Sequence, residues 1–310
     1  MDRDDGVSGM DVLAIHPGAL GDCILFGRLL DAIDGSVRFV GPAEVGRLLA
    51  GLGVVEQSVD FNSLPMHELF TDGPLSETLR DRLGRCERLI ACFPADHPAA
   101  QQRLLEACGA KQAAFLPVRL PADESGHLLD GWFARLGENA SAAEVAKSCL
   151  SVPACWQASA RELLNSRGVS ERFVLLHPGA GGREKRWPLE HYLDVAQPLR
   201  SVIDVVWLRG PMECEAGDAA ILHGQTLIDN PPLPLLAGLQ SLATGYLGND
   251  SGPSHLAAAV GAKTVTLFRT TSPDVFAPLG PYAKFLQVFP DQTFSADRIL
   301  KVFTYELGIT

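Results

Sequence analysis

Gly248-Asn249-Asp250-Ser251-Gly252-Pro253-Ser254-His255-Leu256-Ala257-Ala258-Ala259-Val260-Gly261 is the stretch whose reading decides the fold. It follows an apolar-leaning run, Thr244 to Leu247, that suits the end of a buried strand. It then turns on small and polar residues and opens a helix. Asp250, Ser251 or Gly252 can cap that helix, Pro253 suits its first turn, and Gly261 suits the position just past its end. The run Lys263 to Phe268 predicts the next strand. A helix N-terminus reached through such a turn offers free N–H groups and the positive end of the helix dipole, a seat for phosphate. A tight βαβ turn with no ligand would use the same residues.

Working outward, the chain repeats this alternation. The first half predicts strands at Val12–Ile15, Val37–Val40, Gln57–Phe61 and Arg88–Phe93, with helices at Ile24–Ile33, Pro42–Leu52, Leu75–Arg85 and His97–Cys108. A less regular region from Pro65 to Gly73 reads as loop. From Pro117 to Ser170 the pattern is mainly helical, broken at Pro121, Gly126 and Pro153, with a helix near Ala158–Ser166. The second half predicts strands at Arg172–Leu176, Val202–Leu208, Thr226–Ile228 and Phe285–Val288. Its helices are expected at Pro188–Gln197, Glu213–Leu222, Pro234–Leu242 and Ser295–Leu307. His16-Pro17-Gly18-Ala19 and His177-Pro178-Gly179-Ala180 each follow a strand, one in each half. The recurrence in matching context points to two similar α/β lobes, residues 1–160 and 161–310, with a cleft between them. The final helix is a candidate to pack back on the first lobe.

Composition narrows the class. The 310 residues are 46% hydrophobic, enough for a packed core of about two domains. Net charge is −11, which argues against nucleic acid as a main partner. The acidic start predicts no signal peptide, and no apolar run approaches a membrane span, so a cytoplasmic protein is expected. Seven cysteines, none in a Cys-x-x-Cys pair and none at zinc spacing, read as reduced thiols.

Several residues could carry chemistry. Asp22, just past Gly18-Ala19-Leu20-Gly21, could take a proton from a substrate hydroxyl or serve as a helix cap. Neither this loop nor Gly179-Ala180-Gly181-Gly182 has dinucleotide spacing. Arg183, Lys185 and Arg186 stand between a strand end and a helix start, where cations can hold a phosphate or simply face solvent. Trp187 reads as packing. Glu213 and Glu215 could bind ribose hydroxyls or complement a helix dipole. His255 suits either a packed position or the phosphate seat. Arg80, Arg82, Arg85 and Arg88 form a basic stretch that could meet an anionic acceptor or be a solvated face.

Three separated segments resemble glycosyltransferase family 9, the ADP-heptose:lipopolysaccharide heptosyltransferases. They are Gly18–Asp22, His177–Gly182 with Lys185-Arg186-Trp187-Pro188, and Gly248–Gly261. The resemblance implies the GT-B architecture, two Rossmann-like lobes with parallel sheets flanking a central cleft. It implies an inverting transfer from a nucleoside-diphosphate sugar, of which ADP-heptose is the candidate, to a lipopolysaccharide-core or other cell-envelope saccharide or glycolipid. It requires no metal or other cofactor and allows peripheral contact with the inner membrane face. Asp22 becomes the base. Lys185, Glu213, Asp250, Ser251, Gly252 and His255 become donor-site residues, and Gly179, Gly181 and Gly182 a phosphate loop. Gly21 and Arg80 become candidates for the acceptor side. Two places depart from the family pattern. Gly27-Arg28 stands near the usual proline, and Arg269 replaces a glycine beside the nucleotide site, adding charge and removing backbone freedom. A nucleotide-sugar epimerase or hydrolase on the same fold, and a non-catalytic nucleotide-sugar-binding protein, are the alternatives.

Overall fold

The computed structural model describes residues 10–210, 224–289 and 295–308. Two parallel sheets organise them. The first comprises β1 (Met10–Ile15), β2 (Val37–Gly41), β3 (Gln57–Asp60), β4 (Cys86–Ala91) and β5 (Gln112–Phe115), in the order β3-β2-β1-β4-β5. The second comprises β6 (Phe173–His177), β7 (Asp204–Arg209), β8 (Thr226–Asp229), β9 (Gly245–Asn249), β10 (Thr264–Phe268) and β11 (Ala283–Gln287). Read from β8, its order is β8-β7-β6-β9-β10-β11. That is the connectivity of the first sheet with one strand added, so the repeated His-Pro-Gly-Ala marks repeated topology. Leu13 pairs with Arg38 and Leu89 in the first sheet, as Leu175 pairs with Val206 and Tyr246 in the second.

The helices of the first half are α1 (Leu20–Leu30), α2 (Ala43–Gly51), α3 (Glu77–Leu83), α4 (Pro98–Cys108), α5 (Leu128–Leu136), α6 (Ala142–Val145) and α7 (Ala154–Ser166). Those described in the second are α8 (Leu189–Leu199), α9 (Leu233–Leu242), α10 (Gly252–Ala259), α11 (Pro273–Phe276) and α12 (Ala296–Leu307). The helix expected over Glu213–Leu222 lies outside the described residues. None of the described helices is long and apolar enough to cross a membrane.

The central strands are apolar on both faces because helices cover both. Along β1, Val12 and Ala14 join one core cluster while Leu13 and Ile15 join another, the period of two that a strand imposes. The Val12 cluster runs on into the second half through Leu175, Val206, Tyr246 and Leu256. The two lobes therefore share apolar packing, and burial of each such side chain is worth about 1.5–3 kcal/mol. The expected boundary at residue 160 falls within α7, which packs along α9. A Cβ on Gly238 would sit 2.4 Å from the Trp156 carbonyl oxygen, so that crossing needs glycine. The final helix does not pack on the first lobe. α12 lies against α8, with Phe303 and Leu307 beneath Gly245 of β9, because its apolar face matches the outer side of the second sheet.

Candidate functional site

In each lobe the helices start at the C-terminal ends of the strands, and two of those starts meet. α1 of the first lobe packs on α10 of the second. A Cβ on Gly252 would lie 2.7 Å from Leu20 Cβ, and one on Gly21 would lie 3.1 Å from His255 Cδ2. Neither glycine has a positive φ. Both are small so that two helix N-termini can approach. The far ends are tied as well. Arg28, 1% exposed, donates to the carbonyls of Val145 (2.5 Å) and Ser148 (2.9 Å), and Leu150 N–H reaches the Ala259 carbonyl at the end of α10 (2.7 Å).

Asp22 stands in the first turn of α1. The helix is capped at Ala19 with no side-chain cap bond, so Asp22 is not the cap. Among the described residues its carboxylate makes no hydrogen bond or ion pair. It is half-buried, and its charge is felt by His16, Cys23 and Cys92. Burial lowers the His16 pKa to about 4, against the opposing pull of Asp22. Neutral His16 accepts the Gly18 N–H at Nδ1 (3.1 Å), shaping the loop that delivers α1.

Across the contact lies a compact polar cluster. Lys185 Nζ donates to Asp250 Oδ2 at 2.7 Å, and Thr271 Oγ1 donates to the same oxygen at 2.6 Å. His255 Nε2 stands 3.8 Å from Asp250 Oδ1, beyond ordinary hydrogen-bond length. Burial opposes the Asp250 charge, but His255, Lys185 and Thr271 outweigh it and hold the carboxyl well below its ordinary range. Ser251 is the N-cap of α10 without a side-chain cap bond; its Oγ lies 3.5 Å from His177 Nδ1 and 3.4 Å from Ser254 Oγ.

Buried Asn249 fastens the cationic loop to this turn. Its Oδ1 accepts the Trp187 N–H at 3.0 Å, and its amide donates to the Pro178 carbonyl at 2.7 Å. Arg186 donates twice to the Ala180 carbonyl, and Arg269 Nη1 donates to the Arg186 carbonyl. Gly179 is buried, Gly181 is exposed, and Gly182 caps the short turn Arg183–Lys185. A cleft of about 420 Å³ opens beside these groups, walled by Leu20, Pro42 and Asp60 from one lobe and His177, Arg209 and Pro253 from the other. A hollow of about 480 Å³ beside Arg172 and Arg200 lies at the opposite end of the second sheet, away from them.

The structure thus brings together Gly21, Asp22, Lys185, Asp250, Ser251, Gly252 and His255. It does not bring Arg80 to them. The Arg80 guanidinium donates to the Glu106 carbonyl (3.1 Å), near the end of α4, and α4 runs back from the cleft to the N-terminal end of the parallel strand β5. Glu213 and Glu215 lie outside the described residues. Sequence reasoning missed Thr271, Asn249 and Arg28 as working parts. Asn249 is the last residue of buried β9 and Thr271 lies three residues past the end of buried β10, and that position at a strand end is the one signal that could have raised them.

Residues 121–298 match the family described as Glycosyltransferase family 9 (heptosyltransferase). Lipopolysaccharide heptosyltransferase 2 of Escherichia coli K12 is 32% identical over 126 residues, covering 36% of this chain and 35% of that protein. The aligned stretch thus spans about a third of the curated relative. Two solved structures share the fold across nearly the whole chain. A family 9 glycosyl transferase from Veillonella parvula superimposes with a TM-score of 0.74 at 17% identity, covering 96% of this chain and 97% of its own. E. coli ADP-heptose lps heptosyltransferase II does so with 0.71 at 21% identity, covering 96% and 98%.

Proposed function

Because the chain belongs to glycosyltransferase family 9, we propose that it is an inverting glycosyltransferase acting on a nucleoside-diphosphate sugar and a saccharide hydroxyl. The donor in this reading is ADP-heptose and the acceptor a saccharide of the lipopolysaccharide core or another cell-envelope glycan, following the names of its relatives. One observation carries it. Asp22, a carboxylate without a hydrogen bond among the described residues, and the start of α10 at Asp250–Gly252, where Lys185 is held by Asp250, face each other across the packing of α1 on α10.

In the proposed reaction Asp22 takes the proton of the acceptor hydroxyl. The oxygen attacks the anomeric carbon opposite the phosphate, the bond from that carbon to the diphosphate oxygen breaks, and the configuration inverts. The nucleoside diphosphate leaves with the bonding electrons. Lys185, the loop Gly179–Gly182 and the N-terminus of α10 receive its charge, so the step calls for no metal. Asp250 orients Lys185, and Glu213 binds the ribose. A glycolipid acceptor would bring this cytoplasmic enzyme to the inner membrane face as a peripheral protein. Arg269, which departs from the family's glycine, donates to the Arg186 carbonyl and so braces the cationic loop.

A thermal-shift panel of ADP, UDP, GDP, CDP and dTDP tests the donor site. ADP at a hundred times its dissociation constant should stabilise the fold by about 2.7 kcal/mol. A selective shift with another nucleotide would replace the donor, and no shift with any would remove the donor-site reading.

A further inference from the structure

The rim that carries Asp22 also carries an aromatic ladder that the donor chemistry leaves unused. Phe61 follows β3 and Phe93 follows β4, both at the cleft ends of their strands. Their rings meet edge to face at 5.0 Å. Phe93 meets Phe70 at 5.8 Å, and Phe70 meets His97 at 5.0 Å, again edge to face. Phe61 and Phe93 rest on the core cluster of Leu13, Ile15 and Leu89, but Phe70 is 47% exposed, so the outer end of the ladder is open to solvent. Its inner end reaches the cleft, because Asp60 and Asn62, on either side of Phe61, line the cleft wall.

The internal repeat fixes what this position means. With His16 laid on His177, Cys92 is equivalent to Gly248, since Ile15 pairs with Ala91 and His177 pairs with Gly248. Phe93 is then the counterpart of Asn249, the residue that begins the donor seat. Cys92 lies close enough to Asp22 for that charge, after burial, to raise its thiol pKa. The ladder therefore starts beside the proposed base, at the place where the other lobe builds its phosphate seat.

Local charge selects the ligand. The nearby guanidinium groups are committed: Arg82 donates to the Ser63 carbonyl (2.7 Å) and hydroxyl (2.8 Å), and Arg103 to the carbonyls of Glu68 (3.0 Å) and Gly73 (2.6 Å). Those bonds go to neutral oxygens and leave both charges in place, but Asp60, Glu68, Asp72 and Asp96, in the segments that carry the ladder, outnumber the two guanidinium groups, so these residues sum to a negative charge. A phosphate or carboxylate would be repelled. An uncharged pyranose presents a face of slightly positive C–H bonds that suits the negative face of an aromatic ring. Its hydroxyls would find partners in Asp60, Asn62 and His97.

We propose that Phe61, Phe70, Phe93 and His97 form the acceptor subsite, and that it seats an uncharged pyranose ring next to Asp22. The proposal rests on the glycosyltransferase reading and deepens it by naming the class of the accepting sugar.

Saturation-transfer NMR on the full chain with ADP tests it, using methyl hexoside and methyl heptoside, each with and without a phosphomonoester. The ring C–H protons of the neutral glycosides should saturate, and the phosphorylated forms should bind more weakly. Phe70→Ala should weaken neutral-glycoside binding about fivefold, and Phe70→Tyr should restore it. Absence of neutral-glycoside binding, tighter binding of the phosphorylated forms, or indifference to Phe70→Ala would each overturn the subsite. So would loss of co-sedimentation with phosphatidylethanolamine–phosphatidylglycerol vesicles in Phe70→Ala with glycoside binding intact, which would make the ladder a membrane contact. The glycoside signal needs no turnover, so failure of ADP to bind falls on the donor reading alone.

Discussion

The same four residues, His-Pro-Gly-Ala, leave β1 and β6 and lead to opposite chemistry. After β1 the chain has no slack: the loop ends at Ala19 and α1 begins at Leu20. After β6 the loop runs on through Gly181 and Gly182 into the turn Arg183–Lys185, and α8 begins only at Leu189. The short loop leaves the first turn of the helix to carry the functional group, and that group is Asp22. The long loop carries cations, and Asn249 and Arg269 fasten them over the neighbouring strand end. A duplicated topology has thus been divided into a lobe that offers a base and a lobe that offers a seat for an anion, by loop length and a few side chains rather than by fold.

The sharpest way to break that division is Asp22→Asn, which keeps size and removes basicity. Turnover with ADP-heptose should fall roughly a thousandfold, since a positioned general base contributes about 10²–10⁴. The ADP thermal shift should be unchanged, because Asp22 belongs to the other lobe. Retention of a tenth of the activity would take the base away from the short loop.

Lys185→Ala probes the long loop and should act on the other side of the reaction. It removes a cation aimed at the leaving group and leaves Asp250 with Thr271 and His255. Transfer should slow by about a hundredfold, the scale of one lost charge-stabilising donor, and the ADP shift should shrink with it. Slower transfer with an unchanged ADP shift would separate Lys185 from nucleotide binding. Unchanged values for both would mean that the Lys185–Asp250 pair serves only the fold.

Much of the division was readable in the sequence, and the limits have physical causes. Central strands such as Val174–Leu176 announce themselves because both faces are buried. β5 does not: Gln112-Ala113-Ala114-Phe115 is a short edge strand, partly exposed and without β-branched residues, and its pattern predicts no strand. The motif turns placed Asp22, Lys185 and Asp250 in their own lobes. Nothing in the pattern showed that Leu20 would touch Gly252, since spacing along one chain does not encode the approach of two lobes. Arg28 read as a departure from a proline, yet it is a buried clamp on residues 145–148, and only the tertiary fold supplies its carbonyl partners. Arg80 failed for the converse reason: a charge on a helix says nothing of which end of the sheet it faces.

The smallest expected effect concerns the histidine of the short loop. His16 is 1% exposed, and burial lowers its pKa from 6.5 to about 4. Between those values the unfolded chain binds a proton that the folded chain refuses. Stability from this group is therefore complete above about pH 6.5 and declines as pH falls towards 4, by roughly 1 kcal/mol per pH unit. Asp250 leaves this window clear, because its carboxyl is held low and its contribution is lost only as pH falls through and below the ordinary carboxylate range. His127, also lowered by burial, adds its slope to wild type and variant alike and cancels in the difference. Urea unfolding of His16→Gln at pH 7, 6, 5 and 4.5 should show a shallower dependence than wild type by about that slope. Parallel curves would mean that His16 takes up its proton in the folded protein. The short loop, whose Gly18 N–H depends on neutral Nδ1, would then owe its shape to something other than this histidine.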